Sequence, residues 1–211
     1  VAGLVLAGGQ SRRMGGGDKS LRSLGGRPMI DHVIDRLAPQ VGALAISANS
    51  DPALFRAFGL PVLADTVAGF AGPLAGVLAG MVWAARDPAR SHLATAATDT
   101  PFFPRDLVAR LLDQAGPGRI VLARSFGRRQ PVFGLWPLSL RDDLADWLAQ
   151  GDSRKVQDWA ARYPLAEVDF TPAEAGAPDP FFNANTPDEF AQAEAMLACD
   201  LRRTPPQNSS L

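Results

Sequence analysis

The residues best suited to chemistry open the chain. Leu4-Val5-Leu6-Ala7 is a short apolar run of the kind that forms a buried strand, and it leads at once into Gly8-Gly9-Gln10-Ser11-Arg12-Arg13-Met14-Gly15-Gly16-Gly17-Asp18-Lys19. Five glycines in that loop allow tight turns and close approach of backbone N–H groups to an anion, while Arg12, Arg13 and Lys19 bring neutralising charge. The chemistry this predicts is phosphate binding. Two better-known phosphate loops do not fit. The lysine follows Asp18, where a Walker A loop has Gly-Lys-Ser/Thr, and Gly8-Gly9-Gln10-Ser11 lacks the Gly-x-Gly-x-x-Gly spacing.

Further candidates sit where apolar runs end. Asp99 follows the uncharged run Leu93-Ala94-Thr95-Ala96-Ala97-Thr98, a place from which a carboxylate reaches a hard cation already held by phosphate oxygens. Its ordinary role would be to support the Thr100-Pro101 turn. Asp65 occupies the same position after Pro61-Val62-Leu63-Ala64, with turn capping as its ordinary role. Asn49 offers a donor and an acceptor to a base edge, and is also a common turn residue. Arg128 and Arg129, before Gln130-Pro131-Val132-Phe133-Gly134, read either as a second anion contact or as a solvated turn. Asn183 and Asn185 either lean toward a cleft or tie down a loop. His32, His92 and Cys199 show no ligand or nucleophile spacing, and Trp83, Trp136, Trp147 and Trp159 read as packing residues.

The elements that must position these groups alternate. Strands are expected at 1–6, 43–47, 61–64, 91–98, 119–124, 130–135 and 166–170. Helices are expected at 28–37, around Leu54 to Phe58, from the Gly72-Pro73 turn to about Arg86, and at 104–114, 138–148 and 154–162. Thr186-Pro187-Asp188-Glu189 carries the marks of a helix start, a capping box with proline in the first turn, and that helix is expected to run to about Cys199. The repeat of strand, loop and helix predicts a three-layer α/β/α fold with a mostly parallel central sheet, whose ligands collect at the carboxyl ends of the strands.

Composition narrows the class. At 211 residues the chain suits one domain, expected over 1–199, with a flexible tail at 200–211. A single cysteine excludes an internal disulfide framework and fits a reducing compartment, and a net charge of -1 argues against nucleic acid. No apolar run reaches the length of a membrane span, and the first residues enter a strand instead of a signal sequence, so a cytoplasmic location without membrane contact is expected.

In chain order, Leu6 to Lys19, Ser47-Ala48-Asn49, Asp65, Gly72-Pro73-Leu74-Ala75-Gly76, Thr98-Asp99-Thr100-Pro101, Gln130 to Gly134 and Asn183 to Glu189 resemble the molybdenum cofactor guanylyltransferases of the MobA type. The resemblance implies a Rossmann-like nucleotidyltransferase that uses GTP and Mg²⁺, joins GMP to the phosphate of molybdopterin and releases pyrophosphate. It implies nucleotide contacts at Leu6, Ala7, Gly8, Gly9, Arg13, Lys19, Asn49, Asp65 and Asp99, with magnesium on Asp99 and catalytic roles for Arg13, Lys19 and Asp99. Arg128, Gln130, Asn183 and Asn185 are the acceptor-side candidates. Transient contact with cofactor-delivery proteins or molybdoenzymes would follow. Gln130 and Ala184 depart from the His and Ile of many relatives. A cytidylyltransferase on the same cofactor, a sugar-phosphate nucleotidyltransferase and a non-catalytic nucleotide-binding regulatory module remain as alternatives.

Overall fold

The computed structural model describes residues 1–7, 19–65, 72–151 and 153–203, the side chains of 199–203 excepted. Strands β1 (Ala2–Leu6), β4 (Leu44–Ser47) and β6 (His92–Ala97) are nearly continuous apolar runs. Such runs suit parallel strands covered on both faces. β1 lies between β4 and β6, parallel to each, and β5 (Val62–Leu63) extends the sheet beyond β4. On the other side β8 (Arg128–Pro137) runs antiparallel to both β6 and β7 (Ile120–Ser125), and β9 (Leu165–Asp169) closes the edge parallel to β7. The order is β5-β4-β1-β6-β8-β7-β9. The chain steps outward from β1 to β4 and β5, then crosses back to β6, so the order reverses at β1. Ligand crevices of open α/β sheets form at such a reversal.

Alternate strand residues feed two cores, one on each face. Val5, Ile46, Ala96 and Val121 join α1 (Met29–Leu37) and α3 (Leu107–Leu112), whereas Leu4, Leu6, Ala45 and Leu122 join α2 (Pro73–Ala84), α4 (Arg141–Gln150) and α5 (Val156–Ala160). α1 turns one apolar face to the sheet, with Met29, Val33 and Leu37 buried and Ile34 half-buried. α2 packs against the sheet almost without a spacer. A methyl group on Gly80 would stand 2.7 Å from Leu4 and 2.8 Å from Leu93, and one on Gly76 would stand 2.6 Å from the Ser47 hydroxyl.

Several boundaries differ from expectation for local reasons. Pro28 precedes α1 in an extended conformation and pairs with Ser23 in a two-residue hairpin, β2 (Ser23–Leu24) and β3 (Arg27–Pro28). Gly25 and Gly26, at φ of 58° and 82°, give that hairpin its primed turn. α3 is shorter than 104–114 because Asp106 is not helical, at φ −108° and ψ 13°, and the chain after Leu112 tightens into three-residue turns. α5 is likewise shorter than 154–162 and ends in turn bonds from Arg162 and Tyr163.

β8 is longer than 130–135 and contains a bulge: Leu122 faces Gly134, but its neighbour Ala123 faces Gln130. Thr95 holds this departure from β6. Its hydroxyl donates to the Val132 carbonyl at 2.7 Å and accepts from the Trp136 indole at 2.9 Å. α6 (Pro187–Arg203) begins at the predicted capping box. The Glu189 amide donates to the Thr186 hydroxyl and the Thr186 amide to the Glu189 carboxylate, and the helix continues past Cys199. Among the described residues no helix is long and apolar enough to cross a membrane.

Candidate active site

The carboxyl ends of β4, β5 and β6, three of the four neighbouring parallel strands, carry the polar residues expected there. Ala7 follows β1, Asn49 and Asp65 follow β4 and β5, and Asp99 follows β6. The strands stay zipped to this edge: Ala7 N–H donates to Ser47, Ala48 N–H to Leu63 and Thr98 N–H to Leu6. Leu6 and Ala7 have buried side chains, so only their main chain is available to a ligand. Asn49 and Asp65 are tied to one another. Asn49 Nδ2 donates to the Asp65 carboxylate at 2.6 Å, and the Asp65 amide donates to Asn49 Oδ1 at 2.9 Å. A carboxamide has two N–H bonds and two lone pairs, so one of each remains for a base edge.

A second group of candidates meets across a long stretch of sequence. Lys19 Nζ lies 3.5 Å from both the main-chain and side-chain oxygens of Asn185, at the outer limit of hydrogen bonding. The Asn185 and Thr186 amides converge on the Glu189 carboxylate. Those N–H groups hold Glu189 below its ordinary carboxyl range, with Lys19 adding a smaller contribution. One residue before Asn185 the same segment meets Asp99. The Ala184 amide donates to the Asp99 carbonyl at 2.8 Å, and the Thr100 hydroxyl lies 2.6 Å from Asn183 Oδ1 and 3.2 Å from Asp99 Oδ1. Phe181 pins this segment by its edge contacts with Phe133 and Phe170.

β8 is antiparallel to both β6 and β7, so β6 and β7 run the same way and the β7–β8 turn stands on the same side of the sheet as the end of β6. Arg128 is exposed there and Gln130 half-buried. Arg129 is committed to Glu167 on the far strand, and only Arg128 of the basic pair is left without a carboxylate among the described residues. Gly8, Gly9 and Arg13 lie outside the described residues. His32 Nε2 donates to the Leu24 carbonyl, and His92 sits at the start of β6, five residues and about 17 Å from its end. Trp136 and Trp159 are fully buried. Thr100 was not singled out from the sequence. Its proximity to Asp99 was visible there, but its bond to Asn183 spans 83 positions.

The donor set suits a magnesium ion shared with a nucleotide. Among the described residues no group of three His, Cys, Asp or Glu forms a cage, while Asp99 has one oxygen near Thr100 and no described partner on the other. One carboxylate completed by phosphate oxygens and water is how Mg²⁺ is commonly held.

The sequence of residues 3–166 matches the model of the MobA-like NTP transferase domain. The chain belongs to the MobA-like NTP transferase family. Among its MobA-like relatives, a molybdenum cofactor guanylyltransferase of Mesorhizobium japonicum is 53% identical over 199 residues, covering 93% of this chain and 96% of the relative. One from Bradyrhizobium sp. is 51% identical over 205 residues, covering 96% and 95%. A crystal structure described as molybdopterin-guanine dinucleotide biosynthesis protein A from Archaeoglobus fulgidus aligns with a TM-score of 0.74 at 21% identity, covering 94% of this chain and all of the other. That likeness bears out the Rossmann-like, mostly parallel α/β architecture.

Proposed function

We propose that the protein is a Mg²⁺-dependent guanylyltransferase that transfers GMP from GTP to the phosphate of molybdopterin and releases pyrophosphate. The observation that carries this reading is the convergence of Asp99 and Lys19 on one segment, 183–185, at the sheet edge where Asn49 and Asp65 also end. A cation-holding carboxylate and a phosphate-binding lysine thereby share a border with two carboxamides. Identity above 50% to molybdenum cofactor guanylyltransferases over nearly the whole chain supports it.

In the proposed reaction an oxygen of the acceptor phosphate attacks the α-phosphorus, a new P–O–P bond forms, and the bond to the β-phosphate breaks with its electron pair leaving on pyrophosphate. No protein nucleophile is required. The chain aligns two anions and neutralises their charge. The main chain at Leu6, Ala7, Gly8 and Gly9 would cradle the nucleotide, Asn49 and Asp65 would meet its base and ribose end, and Arg13 and Lys19 would meet its phosphates. Asp99 would hold Mg²⁺, which supplies charge neutralisation to the phosphates.

On the acceptor side, Lys19 can only donate, so Asn185 turns its oxygen to it and keeps its Nδ2 hydrogens for an anion. Asn183, Arg128 and Gln130 complete that side. The product would then pass by transient contact to cofactor-delivery proteins or molybdoenzymes in the cytoplasm.

The test is pyrophosphate release with molybdopterin and Mg²⁺, comparing GTP, CTP, ATP and UTP. Release with GTP alone is expected. Preference for CTP would replace the guanylyl reading by a cytidylyl one, and nucleotide binding without release would leave a regulatory module.

A further inference from the structure

Thr100 stands between the two halves of the site. It is 1% exposed, follows Asp99 directly, and its hydroxyl oxygen lies within hydrogen-bonding distance of Asp99 Oδ1 at 3.2 Å and of Asn183 Oδ1 at 2.6 Å. Both neighbours as placed are acceptors, and a threonine hydroxyl has one hydrogen. That hydrogen cannot serve both fully. An ionised Asp99 draws it with the strength of a charge-assisted bond, whereas Asn183 offers the shorter distance. The contest is settled by whatever else neutralises Asp99. With the carboxylate charge satisfied by a cation, the Thr100 hydrogen commits to Asn183 Oδ1, and the Asn183 Nδ2 hydrogens are thereby fixed on the other edge of the carboxamide. The Ala184 amide, bonded to the Asp99 carbonyl, keeps the two residues from drifting apart as this occurs.

We infer that Thr100 is a positioning residue that couples cation binding at Asp99 to acceptor binding at Asn183. The inference rests on the proposed metal role of Asp99. Coupling of this kind is reciprocal: the cation tightens the acceptor by the factor with which the acceptor tightens the cation.

The test uses the full chain, Mn²⁺ as the probe cation, molybdopterin as acceptor and the α,β-methylene analogue of GTP, which cannot release pyrophosphate. Mn²⁺ affinity is read by electron paramagnetic resonance, and molybdopterin affinity is measured with and without Mn²⁺. In the wild type Mn²⁺ is expected to tighten molybdopterin at least about fivefold. Thr100→Val should bring that ratio near one, and Thr100→Ser should restore it, a rescue that simple loss of packing would not show. Should Thr100→Val fail to fold, Asn183→Ala, at an exposed position, gives the same readout. A ratio that survives loss of the hydroxyl, or that is absent from the wild type, overturns the inference. Asp99→Asn separates the two ideas: unchanged Mn²⁺ affinity there defeats the metal role itself, whereas weakened Mn²⁺ binding together with an unaltered Thr100→Val ratio defeats only the coupling.

Discussion

Replacing Asp99 by asparagine keeps its shape and its acceptor toward Thr100 while removing one negative charge at the end of β6. If that charge holds the cation, turnover at saturating GTP and Mg²⁺ falls by about 100-fold or more. Asp99 is only half-buried, so the melting temperature should move by no more than about 2 °C. Wild-type pyrophosphate release from Asp99→Asn would remove the carboxylate from the mechanism. Asp169 makes a contrasting case, because its charge serves structure. The Thr171 hydroxyl and amide, with Arg124 adding to them, hold its carboxyl down to about 2. A depressed folded value means that the stabilisation is complete above the unfolded value of about 4 and is lost as pH falls through about 2. Asp169→Asn should therefore lower the urea midpoint at pH 6, with the difference from wild type shrinking between pH 4 and pH 2. A difference independent of pH would show that the charge contributes nothing.

The segment from Asp179 to Thr186 is short of regular structure, yet it borders both halves of the site. It is held from below by Phe181, which is 3% exposed, and by Asp179, whose carboxylate accepts from the buried Ser125 hydroxyl and the Phe181 amide. Phe181→Leu keeps most of the buried volume and should cost less than about 1.5 kcal/mol in denaturant titration. It loosens the ring contacts that fix the height of Ala184, so turnover should fall by about tenfold or more, since ångström shifts of reacting groups are costly. Turnover lost only in proportion to stability would mean that this segment is a passive strap. Strand ends and the Thr186–Glu189 box were legible in the sequence because both are local patterns: an apolar run that stops at Asp99, or four residues that cap one another. The meeting of Lys19 with Asn185 was not, because it closes across 166 positions. The bulge in β8 was hidden for the same reason. Thr95 meets Val132 and Trp136 there across 37 and 41 positions, and none of the three announces it. The commitment of Asn49 to Asp65 likewise required the pairing of β4 with β5.

At the scale of the whole molecule, the reversal of strand order at β1 places the candidate binding groups at one edge of the sheet and leaves His92 at the other. The groups at the binding edge come from strands on both sides of β1. Asn49 and Asp65 end β4 and β5 on one side of β1, and Asp99 ends β6 on the other. A nucleotide bound across β1 would therefore bridge the two sides, and its binding energy would add to the stability of the entire fold. GTP with Mg²⁺ at 100 times its dissociation constant should contribute about 2.7 kcal/mol. For a chain of this length that corresponds to a rise in melting temperature of about 5–10 °C. Mg²⁺ alone should give almost none of it, because Asp99 by itself is a poor cage, and a chelator should remove a large share of the GTP effect. An equal rise with CTP would show that the base is not read at Asn49, whereas a rise with GTP that ignores both Mg²⁺ and Asp99→Asn would place the nucleotide away from the end of β6.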